Sequence, residues 1–418
     1  MEFLLRLKNY LFMFMSVFGP ATITAMADND ASGVATYSIA GAQLGYPILF
    51  VLMITTVLLA VTQEMGIRLS LVTRKGLGDL IREYYGIRVS MAIFVAVFIA
   101  NMGTIIVDFA AVKTTSSMLN LPVVPTIIFI VVISFLFVTK GDYKVNQNIF
   151  LLSCVLYFAY VISAFKAHPN WGEAFSNLFY PHGVPLNADY LKNYLLVGMG
   201  VLGTTITPWG QFFISSFSFD KKIDLEKIKF SQFETYWGGF LTNFFSFFMV
   251  VATAATLFLN QIPLVSGEQA ALAIKPFAGE LAGTLFAIGI LNAGFMGIVI
   301  VSLSTAYMFS EIFGLTGSLD SSFKRGRNFY VIFLFQLVVA AIIALFPAVS
   351  LFQLVIATQA INAMALPLVF YFLVKLTNKK DIMGEYANNK FQSYFIVISS
   401  VLIFIASVVA IAATIFNL

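Results

Sequence analysis

Residues 18–46, FGPATITAMADNDASGVATYSIAGAQLGY, put two carboxylates into an apolar stretch long enough to cross a bilayer. The stretch is apolar from Leu11 to Met26, meets Asp28-Asn29-Asp30-Ala31-Ser32-Gly33, and resumes at Val34. In a membrane span these acids sit near mid-depth, where charge is costly and usually functional. Ser32-Gly33 beside the polar run favours a break in the helix. Inside lipid a break is tolerated only where freed carbonyls meet protein or a water-filled cavity. Acidic residues at a broken helix are how transporters build cation sites.

The rest of the chain demands a membrane. Of its 418 residues 60% are hydrophobic, only 11% are charged and 45 are Phe. That balance excludes a soluble protein and gives a polytopic helical one. The apolar runs are continuous over about 20 residues rather than alternating, which excludes a transmembrane β-barrel. The single cysteine, Cys154, allows no disulfide within the chain. No cleavable leader is expected, because the first apolar segment runs directly into the break.

Eleven spans are expected, over roughly 11–43 (broken), 47–73, 89–115, 122–139, 147–166, 194–217 (broken), 233–259, 280–310, 328–346, 350–374 and 391–416. With a cytoplasmic N-terminus the inner loops are 74–88, 140–146, 218–232, 311–327 and 375–390. Together with Arg6 and Lys8 they hold 19 of the 24 Lys and Arg, and the outer loops keep only Lys166, Lys192 and Lys275. This bias places the N-terminus inside and the C-terminus outside a multi-pass cell-membrane protein. The net charge of +4 therefore reflects membrane sidedness, and no nucleic-acid partner is expected. The long external loop 167–193 holds both histidines, His168 and His182, and reads as a structural cap.

A second interruption lies at 195–210, LLVGMGVLGTTITPWG, where Gly203, Pro208 and Gly210 flank three threonines. Breaks in spans 1 and 6 are five helices apart. Five is odd, so spans 1–5 and 6–10 read as inverted repeats, about 11–166 and 194–374, within one transporter domain. The expected fold class is all-α: a leucine-transporter-like inverted repeat of broken helices 1 and 6, with helix 391–416 added.

At these residues the chain resembles the Nramp family of divalent-metal transporters over nearly its whole length. Gly19-Pro20 opens span 1 as in that family, and counting onward puts the family's metal-binding aspartate at Asp30. Ala40-Gly41-Ala42 follows, span 3 keeps Asp108, span 7 Asn243, and span 10 Gln359 before Leu366-Pro367. The departures are equally specific. The family's Asp-Pro-Gly-Asn is here Asp30-Ala31-Ser32-Gly33, so the asparagine ligand is missing at Gly33. In span 6 the methionine ligand is replaced by Thr207 and the adjoining histidine by Trp209. A second span-6 histidine falls at Ile214, and an acid of span 3 at Ala111. Asp28-Asn29-Asp30-Ala31 with Thr204-x-x-x-Pro208-Trp209 is similar to the Nramp-related magnesium transporter branch.

The chemistry points the same way. A thioether favours late transition metals, whereas Mg²⁺ prefers hard oxygens. Mg²⁺ sheds water reluctantly and is usually held by one or two carboxylates with waters retained. A site of Asp30, carbonyls near Ala27 and Thr204, and the hydroxyls of Ser32 and Thr207 suits such an ion. Asp30 is expected to carry the principal charge, with Asp28 beside it. Gln359 and Asn362 are expected to carry outer hydrogen bonds and Asn243 to support the break. Simpler roles compete: Asp28 and Asp30 also suit a helix N-terminus, and Pro208 alone would be an ordinary kink. Asp108 reads as a partner of Lys113, a satisfied buried acid or a pathway residue, and Trp209 reads chiefly as packing. Glu64 and Arg68, four apart, form a structural pair.

The expected activity is import of Mg²⁺, with Mn²⁺ tolerated, uncoupled from protons. Mg²⁺ enters as substrate; no cofactor is expected. The rivals are a proton-coupled Mn²⁺/Fe²⁺ transporter and a sodium-coupled transporter of a small solute. No catalytic constellation supports an enzyme.

Overall fold

The computed structural model describes residues 17–140, 154–185, 187–319, 321 and 323–416. The expected start of span 1 at 11–16, the first part of span 5 at 147–153, most of loop 140–146, and Arg6 and Lys8 lie outside the described residues. Every regular element among the described residues is helical. Span 1 is two helices, α1 (Pro20–Ala27) and α2 (Ala31–Leu44). Span 2 is α3 (Leu49–Thr73), span 3 is α4 (Leu77–Met118), and span 4 is α5 (Val123–Lys140). Next come α6 (Phe158–Lys166) and α7 (Trp171–Phe179). Span 6 is again two helices, α8 (Ala188–Thr205) and α9 (Pro208–Asp220). The later spans are α10 (Ile228–Thr253), α11 (Ala282–Phe313), α12 (Arg327–Ala344), α13 (Leu351–Thr377) and α14 (Lys390–Phe416).

Among the described residues eight helices are each long and apolar enough to cross a membrane. The interrupted spans are not among these: α1, α2 and α9 have only 8, 14 and 13 residues, and α8, with 18, carries Asp189, Lys192 and Asn193 in its first turns. One expected loop proves partly helical. The segment 74–88 is not a simple cytoplasmic connection: α4 begins at Leu77 and turns only at Gly86, whose φ of 81° suits a residue without Cβ. The 167–193 loop is partly helical, and α7 gives it shape. His182 N–H donates to Asn177 Oδ1 at 3.0 Å, and its ring meets Ser176 Oγ at 2.6 Å.

Burial sorts the helices into lipid-facing and central ones. α5 and α14 expose Ile128, Phe129, Val132, Leu402 and Phe404, the apolar surface expected against acyl chains. α1, α2 and α9, by contrast, are buried along nearly their whole lengths. Both broken spans therefore lie at the centre of the bundle. Small residues let helices meet there backbone to backbone, the usual device of membrane bundles. A Cβ added at Gly203 of α8 would lie 1.8 Å from the Gln359 carbonyl oxygen of α13.

In the second half of α3 Glu64 and Arg68 form the expected pair, at 2.7 Å. Arg68 also donates to the Tyr386 carbonyl and to Asn388 Oδ1, tying α3 to the segment before α14. Lys113 does not pair with Asp108. Its Nζ donates to the carbonyls of Ala344, Phe346 and Val349 at the end of α12, where a cation complements the helix dipole.

The close approach at Gly203 predicts a sharp asymmetry between glycines. Gly203→Ala should destabilise the detergent-solubilised protein by about 1–3 kcal/mol, the range for overpacking. Gly283→Ala, in α11 with no atom near its Cβ position, should be neutral or stabilise by up to about 1 kcal/mol through helix propensity. Thermal unfolding of both variants checks this, and equal stabilities would contradict the packing described.

Candidate metal site between the two broken helices

The first break closes economically. After Ala27 the N–H groups of Asp28, Asn29 and Asp30 donate to the carbonyls of Ala25, Met26 and Ala27 at 3.3, 3.1 and 3.1 Å. These tight i→i+3 bonds end α1 as such bonds commonly end helices. The Ala27 carbonyl is thus already engaged, and only its second lone pair is left for a cation. Asp30 then caps α2: its Oδ1 accepts from Gly33 N–H at 2.7 Å and from Ser32 Oγ at 2.6 Å. The capping role weighed against a functional one is real, and Asp30 holds it from the centre of the protein, only 3% exposed. Asp28 does not cap. Its Oδ1 accepts from Thr207 Oγ1 at 3.3 Å, across to the second break, and its Oδ2 is buried without a protein hydrogen-bond partner.

The second break follows from proline chemistry. The last regular bond of α8 runs from Ile206 N–H to the Leu202 carbonyl at 2.9 Å. The Thr204 carbonyl would ordinarily receive the N–H of residue 208, and Pro208 has none. Ile206 and Thr207 are extended, and Thr207 Oγ1 caps α9 by accepting Gly210 N–H at 3.1 Å. Thr207 therefore serves two ends at once: it accepts from α9 and donates to Asp28. Gly33 lets the two breaks meet, since a Cβ there would lie 2.2 Å from the Asp28 carbonyl oxygen and 3.3 Å from Thr204 Oγ1.

Other helices close the gap. Asp108 of α4 accepts Ser32 N–H on Oδ1 at 3.2 Å, so it supports the start of α2, and its Oδ2 is buried without a protein hydrogen-bond partner. Gly297 of α11 makes the room: a Cβ there would lie 2.1 Å from Asp108 Oδ2 and 2.7 Å from Asp30 Cβ. Gln359 Nε2 donates to Ser32 Oγ at 2.9 Å, and Asn362 Nδ2 donates to Gln359 Oε1 at 2.7 Å and to Thr104 Oγ1 at 3.0 Å. Gln359 and Asn362 thus form a hydrogen-bonded chain leading back to Asp30. Trp209 is wholly buried against Phe213, and its carbonyl accepts from Ser304 Oγ at 2.7 Å.

One expected residue belongs elsewhere. Asn243 does not support the break: its Nδ2 donates to the Gly239 carbonyl of its own helix at 3.0 Å. Its side chain lines a separate apolar cavity of about 270 Å³ with Leu52, Phe175 and Phe240. The support comes from its neighbours on the other face of α10. Thr242 and Ser246 bond the side chain of Asn29, and Glu234 holds the start of α1 by accepting the N–H groups of Gly19 and Thr22 at 2.6 and 3.0 Å. Lys221, just beyond α9, donates to the Val17 and Phe18 carbonyls; burial pushes its pKa down to about 8, with the Glu234 carboxylate opposing. The signal missed in the sequence was spacing: 242 and 246 are polar positions one turn apart in the mostly apolar later half of α10.

Taken together, Asp28 meets the Thr207 hydroxyl across the two breaks, Asp30 meets the Ser32 hydroxyl at the first, and the Thr204 carbonyl lacks its regular helical donor. Among the described residues no group of three or more His, Cys, Asp or Glu is arranged to hold an ion. A cation bound in this gap would meet carboxylate, hydroxyl and carbonyl oxygen.

Residues 21–413 match the family model described as natural resistance-associated macrophage protein-like. The divalent metal cation transporter MntH of Verminephrobacter eiseniae is 23% identical, over 91% of this chain and 85% of its own. The MntH of Staphylococcus aureus is 26% identical, over 94% of this chain and 90% of its own. Among solved structures, the Eremococcus coleocola manganese transporter superposes with a TM-score of 0.79 at 18% identity, covering 97% of this chain and 87% of that one. A Na⁺-coupled sialic acid symporter shares the fold more distantly, with a TM-score of 0.60 at 12% identity over 94% and 88% of the two chains. The match along nearly the whole chain settles the family, and this chain belongs to Nramp.

Proposed function

We propose that the chain imports divalent cations across the cell membrane, Mg²⁺ first and Mn²⁺ also, as a uniporter driven by the membrane potential. The relatives named as divalent metal cation transporters support the cation class. The observation that carries the preference for Mg²⁺ is the Thr207 hydroxyl, 3.3 Å from Asp28 across the two breaks. It puts a hard oxygen where the resemblance to Nramp transporters puts a soft thioether. With that ligand goes the discrimination against hard ions. Small side chains at Ala31, Ser32 and Gly33 suit an ion that keeps part of its water. The positive-inside bias supports an inside N-terminus and an outside C-terminus.

The uniport reading rests on what faces the gap. Both histidines lie in the 167–193 loop, and the family's histidine positions are occupied by Trp209 and Ile214. Histidine is the side chain best suited to shuttle protons near neutral pH. Energetics do not require a second ion: two charges crossing 100 mV gain about 4.6 kcal/mol, enough for roughly a thousandfold accumulation. One observation favours proton coupling instead. Asp108 Oδ2 is buried without a protein hydrogen-bond partner close to Asp30, and the third experiment below addresses it.

Asp30→Asn keeps the oxygen that caps α2 and removes the charge. It should cut Mg²⁺ uptake by about a hundredfold or more in well-folded protein, at or beyond the upper end for residues that only support a metal ligand. Asp28→Ala should cost less. Full uptake by Asp30→Asn would make Asp30 a cap only, and the reverse ranking would make Asp28 the principal ligand.

Thr207→Met should shift competition towards Mn²⁺ and Cd²⁺ by about tenfold and lose about 1 kcal/mol of stability with the α9 cap. An unchanged competition ratio at comparable activity would place selectivity elsewhere.

Mg²⁺ entry into vesicles holding a pH-sensitive dye should proceed without acidification. Protein-dependent proton influx in fixed ratio to Mg²⁺ would overturn uniport and identify Asp108 as the carrier to test.

A further inference from the structure

Between the two acids of the first break, Asn29 points the other way. Its side chain is completely buried against α10. Nδ2 donates to the Thr242 carbonyl at 3.1 Å and to Thr242 Oγ1 at 2.9 Å, and Oδ1 accepts from Ser246 Oγ at 2.9 Å. Its main-chain N–H donates to the Met26 carbonyl at 3.1 Å, and its carbonyl accepts the Tyr157 hydroxyl. An asparagine side chain offers two N–H hydrogens and one carbonyl oxygen, and all three are engaged with one uninterrupted helix.

The neighbours are held less firmly. Asp28 reaches protein through one bond of 3.3 Å to Thr207, itself in a break. Asp30 is bonded within its own helix turn, to Ser32 and Gly33. Of the three consecutive side chains, only Asn29 ties the break to a continuous helix.

We propose that Asn29 is a positioning residue for the cation site, whose anchorage on Thr242 and Ser246 fixes the rotation of the break and thereby sets the preference for Mg²⁺ over Mn²⁺. The proposal rests on the transport reading above. Its physical basis is geometric demand. Mg²⁺ requires near-ideal octahedral coordination, so two carboxylates free to rotate serve it worse than a more tolerant ion. Partners that orient metal ligands are commonly worth tenfold or more in affinity.

Wild-type, Asn29→Ala, Ser246→Ala and doubly substituted proteins are reconstituted in parallel, and initial uptake of Mg²⁺ and of Mn²⁺ is measured against concentration. Asn29→Ala should raise the half-saturating Mg²⁺ concentration about tenfold and that of Mn²⁺ distinctly less. Ser246→Ala should move the same ratio in the same direction by a smaller factor. The double variant should go no further than Asn29→Ala alone, because both remove one interaction. If Asn29→Ala fails to fold, the ratio in Ser246→Ala decides. An unchanged ratio, or a loss confined to the maximal rate and equal for both ions, overturns the proposal. Wild-type vesicles that take up neither cation would refute the transport reading itself, and this proposal with it.

Discussion

Two helices stop in the middle of a membrane-thick bundle, and the backbone groups they free have no bulk water to turn to. Everything around the gap follows from that constraint. α1 ends by folding its last N–H groups back on itself, and α2 begins under the carboxylates of Asp30 and Asp108. α9 begins under a threonine hydroxyl. The side chains that solve the backbone problem, Asp30 and Thr207, are also the ones proposed to meet the cation. Capping by Asp30 does not by itself argue against the cation role proposed for it. The cap orients the Asp30 carboxylate through Gly33 and Ser32.

The join between the two breaks is narrow. Thr207 meets Asp28, and Thr204 lies against Gly33. Around that join stand continuous helices that fix it: α10 through Asn29, α4 through Asp108, and α13 through Gln359. Gly203 and Gly297 let α13 and α11 come close enough to do so. Thr207 puts a hydroxyl in the second break, and the proposed preference for a hard ion rests on it.

Much of this was legible in the sequence, for identifiable reasons. A hydrophobic run interrupted by Asp28-Asn29-Asp30 and another interrupted by Thr207-Pro208 have few meanings in a bilayer, so the paired breaks and the helical fold could be read directly. The hydrogen-bonded chain through Gln359 and Asn362 was also foreseeable, as amides in an apolar helix. What could not be read was azimuth. Asn243, which the resemblance to Nramp suggested as a support of the break, lines a separate apolar cavity instead, while its neighbour Thr242 bonds Asn29. Along a span buried on most sides, one residue turns the side chain by about 100°, and composition does not say which way. Asp108 was legible as a buried acid but its partner was not, because Lys113 reaches the carbonyls at the end of α12 instead. Long-range hydrogen bonds such as Glu234 to Gly19 join residues far apart in the chain, and no local pattern announces them.

The most direct test of the account is uptake into vesicles that contain this protein alone. With an inward-negative potassium diffusion potential imposed and no pH gradient, the account predicts that external Mg²⁺ enters and accumulates to a level that rises with the potential. Mn²⁺ added alongside should compete for entry. Exclusion of Mg²⁺ from vesicles that readily accumulate Mn²⁺ would contradict the hard-oxygen site at the centre of this account.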